Sequence, residues 1–147
     1  MIVMQKIYLG ADHAGFSLKE KIAEHLSGKT YKLIDLGTNS NQSVDYPDFA
    51  KMLSDNVAAC EGGIGILVCG SGIGMSIAAN RNPKIRAALC HNASYVKLAR
   101  EHNDANVLVL GARFLQEKDV LEMVDVFLST EFLQGRHKER VQKLIDL

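Results

Sequence analysis

The chain has 147 residues, enough for one domain that buries roughly 68–70% of its unfolded surface. Seventeen basic and seventeen acidic side chains cancel to zero net charge, so no global field draws nucleic acid or an anionic membrane, and neither is expected as a partner. The three cysteines, Cys60, Cys69 and Cys90, are odd in number and lack CxxC spacing, which predicts reduced thiols in a cytoplasm and no cysteine-bound zinc.

No apolar run approaches the roughly 20 residues of a membrane span, and no secretory signal is expected. A first strand is predicted over Lys6–Gly10 (KIYLG), followed by Leu18, Ile22 and Leu26 at helical spacing. Tyr31–Leu36 (YKLIDL) is the second strand, and the polar loop Gly37–Val44 (GTNSNQSV) is expected to be exposed. Phe49, Met52, Leu53 and Val57 again repeat at helical spacing. Gly65–Cys69 (GILVC) is the third strand, with a helix over Gly74–Asn80. Arg86–Cys90 (RAALC) and Asn106–Gly111 (NVLVLG) complete the strands. Helices are predicted at Ala93–His102, Glu117–Ser129 and Arg136–Leu147. Five strands alternating strictly with helices predict a single-domain, three-layer α/β/α sandwich over residues 1–147, with a five-stranded parallel, Rossmann-like sheet.

In such a fold, ligands bind beyond the carboxyl ends of the strands, near the point where strand order reverses. That rule selects Asp12 and His13 after the first strand, Cys69 and a glycine loop after the third, His91 after the fourth and Arg113 after the fifth. The loop, CGSGIGM at Cys69–Met75, fails four better-known patterns. The third glycine of a dinucleotide fingerprint is replaced by Met75. A Walker loop's Lys is absent, a nucleophile elbow would have glycine at Cys69, and a thiol phosphatase loop would have Arg at Met75.

What remains is a set of backbone N–H groups at a helix start, where glycines permit close approach and the dipole favours negative charge. The same field favours the thiolate of a cysteine placed there. A base beside an anion-stabilising loop suits removal of a proton alpha to a carbonyl, with an enediolate held in place. The competing reading of Cys69 is a small core residue, which is also the expectation for Cys60 and Cys90.

Five segments together resemble the ribose-5-phosphate isomerase B family, which includes the galactose-6-phosphate isomerase subunits. They are GADHAGF at Gly10–Phe16, DYPDFA at Asp45–Ala50, CGSGIGMSIAAN at Cys69–Asn80, REHNDANVLVLGAR at Arg100–Arg113 and GRHKERV at Gly135–Val141. They lie in the family's order and span nearly the whole chain.

The resemblance implies a cytoplasmic isomerase of aldose and ketose phosphates that works through an enediolate, with no metal and no cofactor. Cys69 matches the base, and Gly70, Ser71, Gly72, Ile73 and Gly74 match the loop that holds the sugar oxygens. Ser71 stands where many relatives carry Thr. One branch of the family uses a Glu at the position of Met75 as its base; here Met75 cannot take a proton, which places the chain in the cysteine branch. His102 matches the acid that opens the furanose ring, with Asp12 on the sugar oxygens. Without the motif, His102 reads as a helix-terminal histidine at a C-terminal dipole. Asn103 matches a substrate contact, and His13 would line the same edge. Tyr46 packs either on the sugar or on the core. A metal held by Asp12, His13 and Asp45 is the alternative to a metal-free site.

Arg136 and Arg140 are four residues apart on the last helix, beside His137, and suit a phosphate group. The family match assigns them, with Arg113, to the substrate phosphate. It also implies a homodimer or tetramer whose last helix, from about 136 to 147, packs across chains, with Val141, Leu144 and Ile145 in contact and each site shared. Ribose 5-phosphate and ribulose 5-phosphate are the leading substrates. A six-carbon sugar phosphate is the alternative, and a non-catalytic phosphate-binding module would leave Cys69 and His102 idle.

Overall fold

The computed structural model describes residues 4–147. Its strands are β1 (Lys6–Ala11), β2 (Lys32–Asp35), β3 (Ile64–Cys69), β4 (Ala87–Leu89) and β5 (Val107–Gly111). They form one parallel sheet in the order β2-β1-β3-β5-β4. The helices are α1 (Phe16–Leu26), α2 (Tyr46–Ala59), α3 (Ile73–Ala79), α4 (Ala93–Asn103), α5 (Glu117–Ser129) and α6 (His137–Ile145). The expected three-layer α/β/α architecture is the one observed.

The period-two geometry of the strands divides the core in two. Ile7, Leu9, Ile66, Val68, Leu108 and Leu110 face one side, where Ile22 and Leu26 of α1, Val96 of α4 and Val120 of α5 cover them. Tyr8, Leu67, Cys69, Val107 and Val109 face the other, against Leu53 and Val57 of α2 and Met75 of α3. Burial on both faces explains why β1, β3 and β5 read as continuous apolar runs. Each large aliphatic side chain so buried stabilises the fold by about 1.5–3 kcal/mol.

Local signals account for the helix ends. Pro47 occupies the first turn of α2, where its missing N–H costs nothing, and Asp48 complements the dipole. Asn92 caps α4 by accepting from the Tyr95 N–H at 3.0 Å. That helix stops at Asp104, in a left-handed conformation with φ 47°, held by Arg86 and Arg100.

Four expectations need correction. Met52 is 42% exposed, because the inward stripe of α2 is Ala50, Leu53 and Val57. The loop after β2 is not wholly exposed: Gly37 and Thr38 are buried, since they bracket Ala11 with backbone hydrogen bonds of 2.8 Å each. Arg136 precedes α6 instead of beginning it. Val141 is buried within its own chain, leaving Leu144 and Ile145 as the exposed apolar residues of α6.

Candidate active site

Strand order reverses between β1 and β3, which leave the sheet side by side. The Asp12 N–H donates to the Val68 carbonyl at 3.2 Å, so the chain segments after both strands open onto one cleft. The cleft has a volume of about 680 Å³ and is lined by Asp12, His13, Tyr46, Cys69, Ser71 and Arg113, with Gly70, Ile73 and Gly74 of the glycine loop.

Cys69 is the last residue of β3 and is only 5% exposed. The Gly72 N–H donates to its Sγ at 3.2 Å, and the Ile73 N–H donates to Ser71 Oγ at 3.2 Å. Gly72 itself has φ 82°, a left-handed conformation that side chains resist. It faces β4 and β5 and not the cleft: a Cβ there would meet Leu89 Cδ1 at 2.5 Å. The following N–H groups of α3, at Gly74 and Met75, belong to the helix's first turn and have no intrahelical acceptor. Met75 is fully buried, so its side chain is core.

The neighbouring elements bring in the other groups. After β5 the chain runs along the loop, with the Ala112 N–H donating to the Cys69 carbonyl at 2.8 Å and the Arg113 N–H to that of Gly70 at 3.0 Å. This seats Arg113 on the cleft wall. Tyr46, at the start of α2, lies so close over Gly74 that a Cβ there would meet its ring at 2.5 Å. Its half-open ring therefore faces the cleft instead of the core. Asp12 Oδ1 accepts from the Gly15 N–H at 3.0 Å, and His13 Nδ1 accepts from the Val44 N–H at 3.2 Å. In that arrangement the proton of a neutral His13 ring is on Nε2.

A second group of expected residues lies elsewhere. The rings of His102 and His137 stack with centroids 4.2 Å apart and 14° between planes. Arg136, Arg140 and Asn103 are exposed nearby in the chain. Burial, followed by the charges of His102, Arg136 and Arg140, pushes the His137 imidazole below its ordinary value, and Glu101 opposes this. These residues sit where α6 packs on the end of α4. Helix α4 starts beyond the carboxyl end of β4 and returns to the amino end of β5, so His102 lies at the opposite edge of the sheet from Cys69. Eleven helical residues span about 16 Å. One chain therefore does not bring Cys69 and His102 together.

His91 is exposed and outside the cleft, and Asp45 is not among its lining residues. Cys90 is core, with burial pushing its thiol up to about 11. Cys60 is half-buried and lines a separate cleft of about 380 Å³ with Arg86, Arg100 and Asp104. Among the described residues, no group of three or more His, Cys, Asp or Glu is arranged to hold a metal ion. None of their helices is long and apolar enough to cross a membrane. Ala14, Ile77 and Phe114 also line the cleft and were not expected. Ile77 was detectable one helical turn beyond Ile73, and Phe114 directly follows Arg113.

Comparisons with known proteins show the family and the fold. A family model described as Ribose/Galactose Isomerase matches residues 7–144. The chain is 42% identical over 141 residues to ribose-5-phosphate isomerase B of Escherichia coli (strain K12), covering 96% of this chain and 95% of that relative. The solved structure of a ribose 5-phosphate isomerase from Thermotoga maritima superposes with a TM-score of 0.93 at 48% identity, covering 97% and 99% of the two chains. That of ribose-5-phosphate isomerase B from Mycoplasma genitalium with bound ribulose-5-phosphate has a TM-score of 0.93 at 40% identity, covering 98% and 97%.

Proposed function

The chain belongs to the ribose/galactose isomerase family of sugar-phosphate isomerases, and on that premise we propose that it interconverts ribose 5-phosphate and ribulose 5-phosphate through an enediolate, with Cys69 as the base. The observation that carries the reading is the Cys69 thiol at the end of β3, hydrogen-bonded by the Gly72 N–H and facing a cleft with Asp12, His13 and Arg113.

In the forward direction the Cys69 thiolate takes the proton from C2 of the open-chain aldose. The C–H electron pair forms the C1–C2 double bond, and the carbonyl pair moves onto O1. The N–H groups of the glycine loop oppose the negative charge that develops there. The Cys69 thiol then returns its proton to C1, while the O2 hydroxyl proton moves to O1, giving the C2 ketone. Ser71 Oγ is the hydroxyl placed to assist that oxygen-to-oxygen transfer. Asp12 accepts from the sugar hydroxyls, and Tyr46 packs on the sugar.

Arg113 and His13 suit the phosphate end, His13 through its Nε2–H. His102 opens the furanose ring, Asn103 contacts substrate, and Arg136, His137 and Arg140 add phosphate contacts. Because His102 lies at the other edge of its own sheet, these groups reach the Cys69 cleft from a second copy of the chain. The exposed Ile73, Ile77 and Phe114 at the cleft rim, and Leu144 and Ile145 of α6, supply apolar surface for that contact. No metal or cofactor has a part in these steps.

A coupled assay for ketose formation tests the function. Turnover of ribose 5-phosphate faster than of allose or galactose 6-phosphate is expected. Preference for a six-carbon substrate would keep the chemistry and change the substrate, whereas phosphate binding without turnover of any of the three would reject the enzyme.

A further inference from the structure

Lys19 is a charged side chain buried completely, at 0% exposure. It sits in the first turn of α1, where the helix dipole disfavours a cation. Its Nζ pairs with Asp35 Oδ2 at 2.6 Å and with the largely solvated Glu20 at 2.8 Å. Neither Lys19 nor Asp35 lines the cleft. Only the lysine end is out of water, since the Asp35 side chain is 35% exposed, and an ion pair so open to solvent is a weak source of stability.

What the pair holds is the backbone behind the cleft. The second Asp35 oxygen, Oδ1, accepts from the Gly37 N–H at 2.9 Å. Gly37 and Thr38 then clasp Ala11, with Ala11 N–H to the Gly37 carbonyl and Thr38 N–H to the Ala11 carbonyl, both 2.8 Å. Asp12 is the next residue, and its carboxylate is held by the Gly15 N–H at the start of α1. The far end of the same loop supplies the Val44 N–H that fixes His13 Nδ1. Asp12 and His13 are thus gripped by a loop whose origin is set by the Lys19–Asp35 pair.

We propose that Lys19 is a positioning residue for the Asp12-His13 corner of the cleft, acting through Asp35 and the loop at residues 37–44. The proposal rests on the cleft being the isomerase site. Lys19→Met removes the buried cation alone and leaves the Asp35 carboxylate, 35% exposed, with its Gly37 contact. The folded Lys19→Met variant should lose roughly tenfold to a hundredfold in kcat/KM, the scale of a small misplacement of reacting groups. Its His13 side-chain ¹⁵N spectrum should change from a single tautomer protonated at Nε2 to a mixture. If Lys19→Met does not fold, Asp35→Asn, which removes the charge facing Lys19 and keeps an oxygen for the Gly37 N–H, is put through the same two measurements. A folded variant with an unchanged His13 spectrum overturns the proposal whatever its activity, and so does a changed spectrum with unaltered kcat/KM. Should the wild-type protein lack isomerase activity, the functional reading fails by itself, and the His13 spectrum still decides whether Lys19 sets this corner.

Discussion

The Gly72 N–H points at Cys69 Sγ from 3.2 Å, and a left-handed backbone at Gly72 is what aims it there. Alanine at this position would carry the roughly 1–2 kcal/mol cost of that conformation and drive a methyl group against Leu89 and the backbone of β5. Gly72→Ala should therefore lower stability in urea unfolding by at least about 1 kcal/mol and reduce kcat about tenfold or more, as the thiol loses its donor. Wild-type values for both would show that the loop does not support Cys69 in this way.

Thiol chemistry should separate Cys69 from Cys90. Burial holds Cys90 up at about 11, so it stays a thiol at neutral pH and should resist iodoacetamide. Inactivation should track labelling of Cys69 in peptide maps, and substrate should slow it. Label on Cys90, or loss of activity with Cys69 unlabelled, would contradict the assignment of the reactive group.

The His102–His137 stack predicts a pH dependence of stability. Burial and the nearby His102, Arg136 and Arg140 charges hold the folded His137 below the ordinary value of about 6.5. As pH falls through that ordinary value, the unfolded chain takes up the proton before the folded one does, so stability falls with it. Between pH 7.5 and 5, Tm should drop more steeply for wild type than for His137→Gln. An equal or steeper slope in the variant would mean that His137 is not held neutral by these neighbours.

Strand positions were readable in advance because β1, β3 and β5 are buried on both faces and show it as unbroken apolar runs. The edge strand β4 was less so, and shrinks from the expected Arg86–Cys90 to Ala87–Leu89 because only β5 flanks it. Asp12, Cys69 and Arg113 could be placed from the strand-end rule alone. Lys19 could not, since a lysine between Leu18 and Glu20 reads as solvated, and its partner Asp35 is 16 residues away in the chain. The separation of His102 from Cys69 follows from the direction in which α4 returns across the sheet, not from any local pattern; only the family resemblance pointed to it, through a site shared between chains.

That separation yields a complementation test. With the site shared between two chains, Cys69→Ala and His102→Asn homodimers are each inactive at both sites. Refolding an equal mixture should give about half mixed dimers, each with one doubly defective and one intact site, and restore roughly a quarter of wild-type activity. No recovery from two inactive homodimers, with mixed dimers verified by mass, would place both residues in one chain's site, whereas an active His102→Asn homodimer would remove His102 from the reaction.

The most direct test of Cys69 as the base is solvent deuterium incorporation at C1 of ribulose 5-phosphate, a ketose that needs no furanose ring opening. Wild-type protein in D₂O should catalyse this exchange. Cys69→Ala, folded with an unchanged Tm, should be slower by at least about 10²-fold, the usual contribution of a general base. Exchange at the wild-type rate in folded Cys69→Ala would contradict the account.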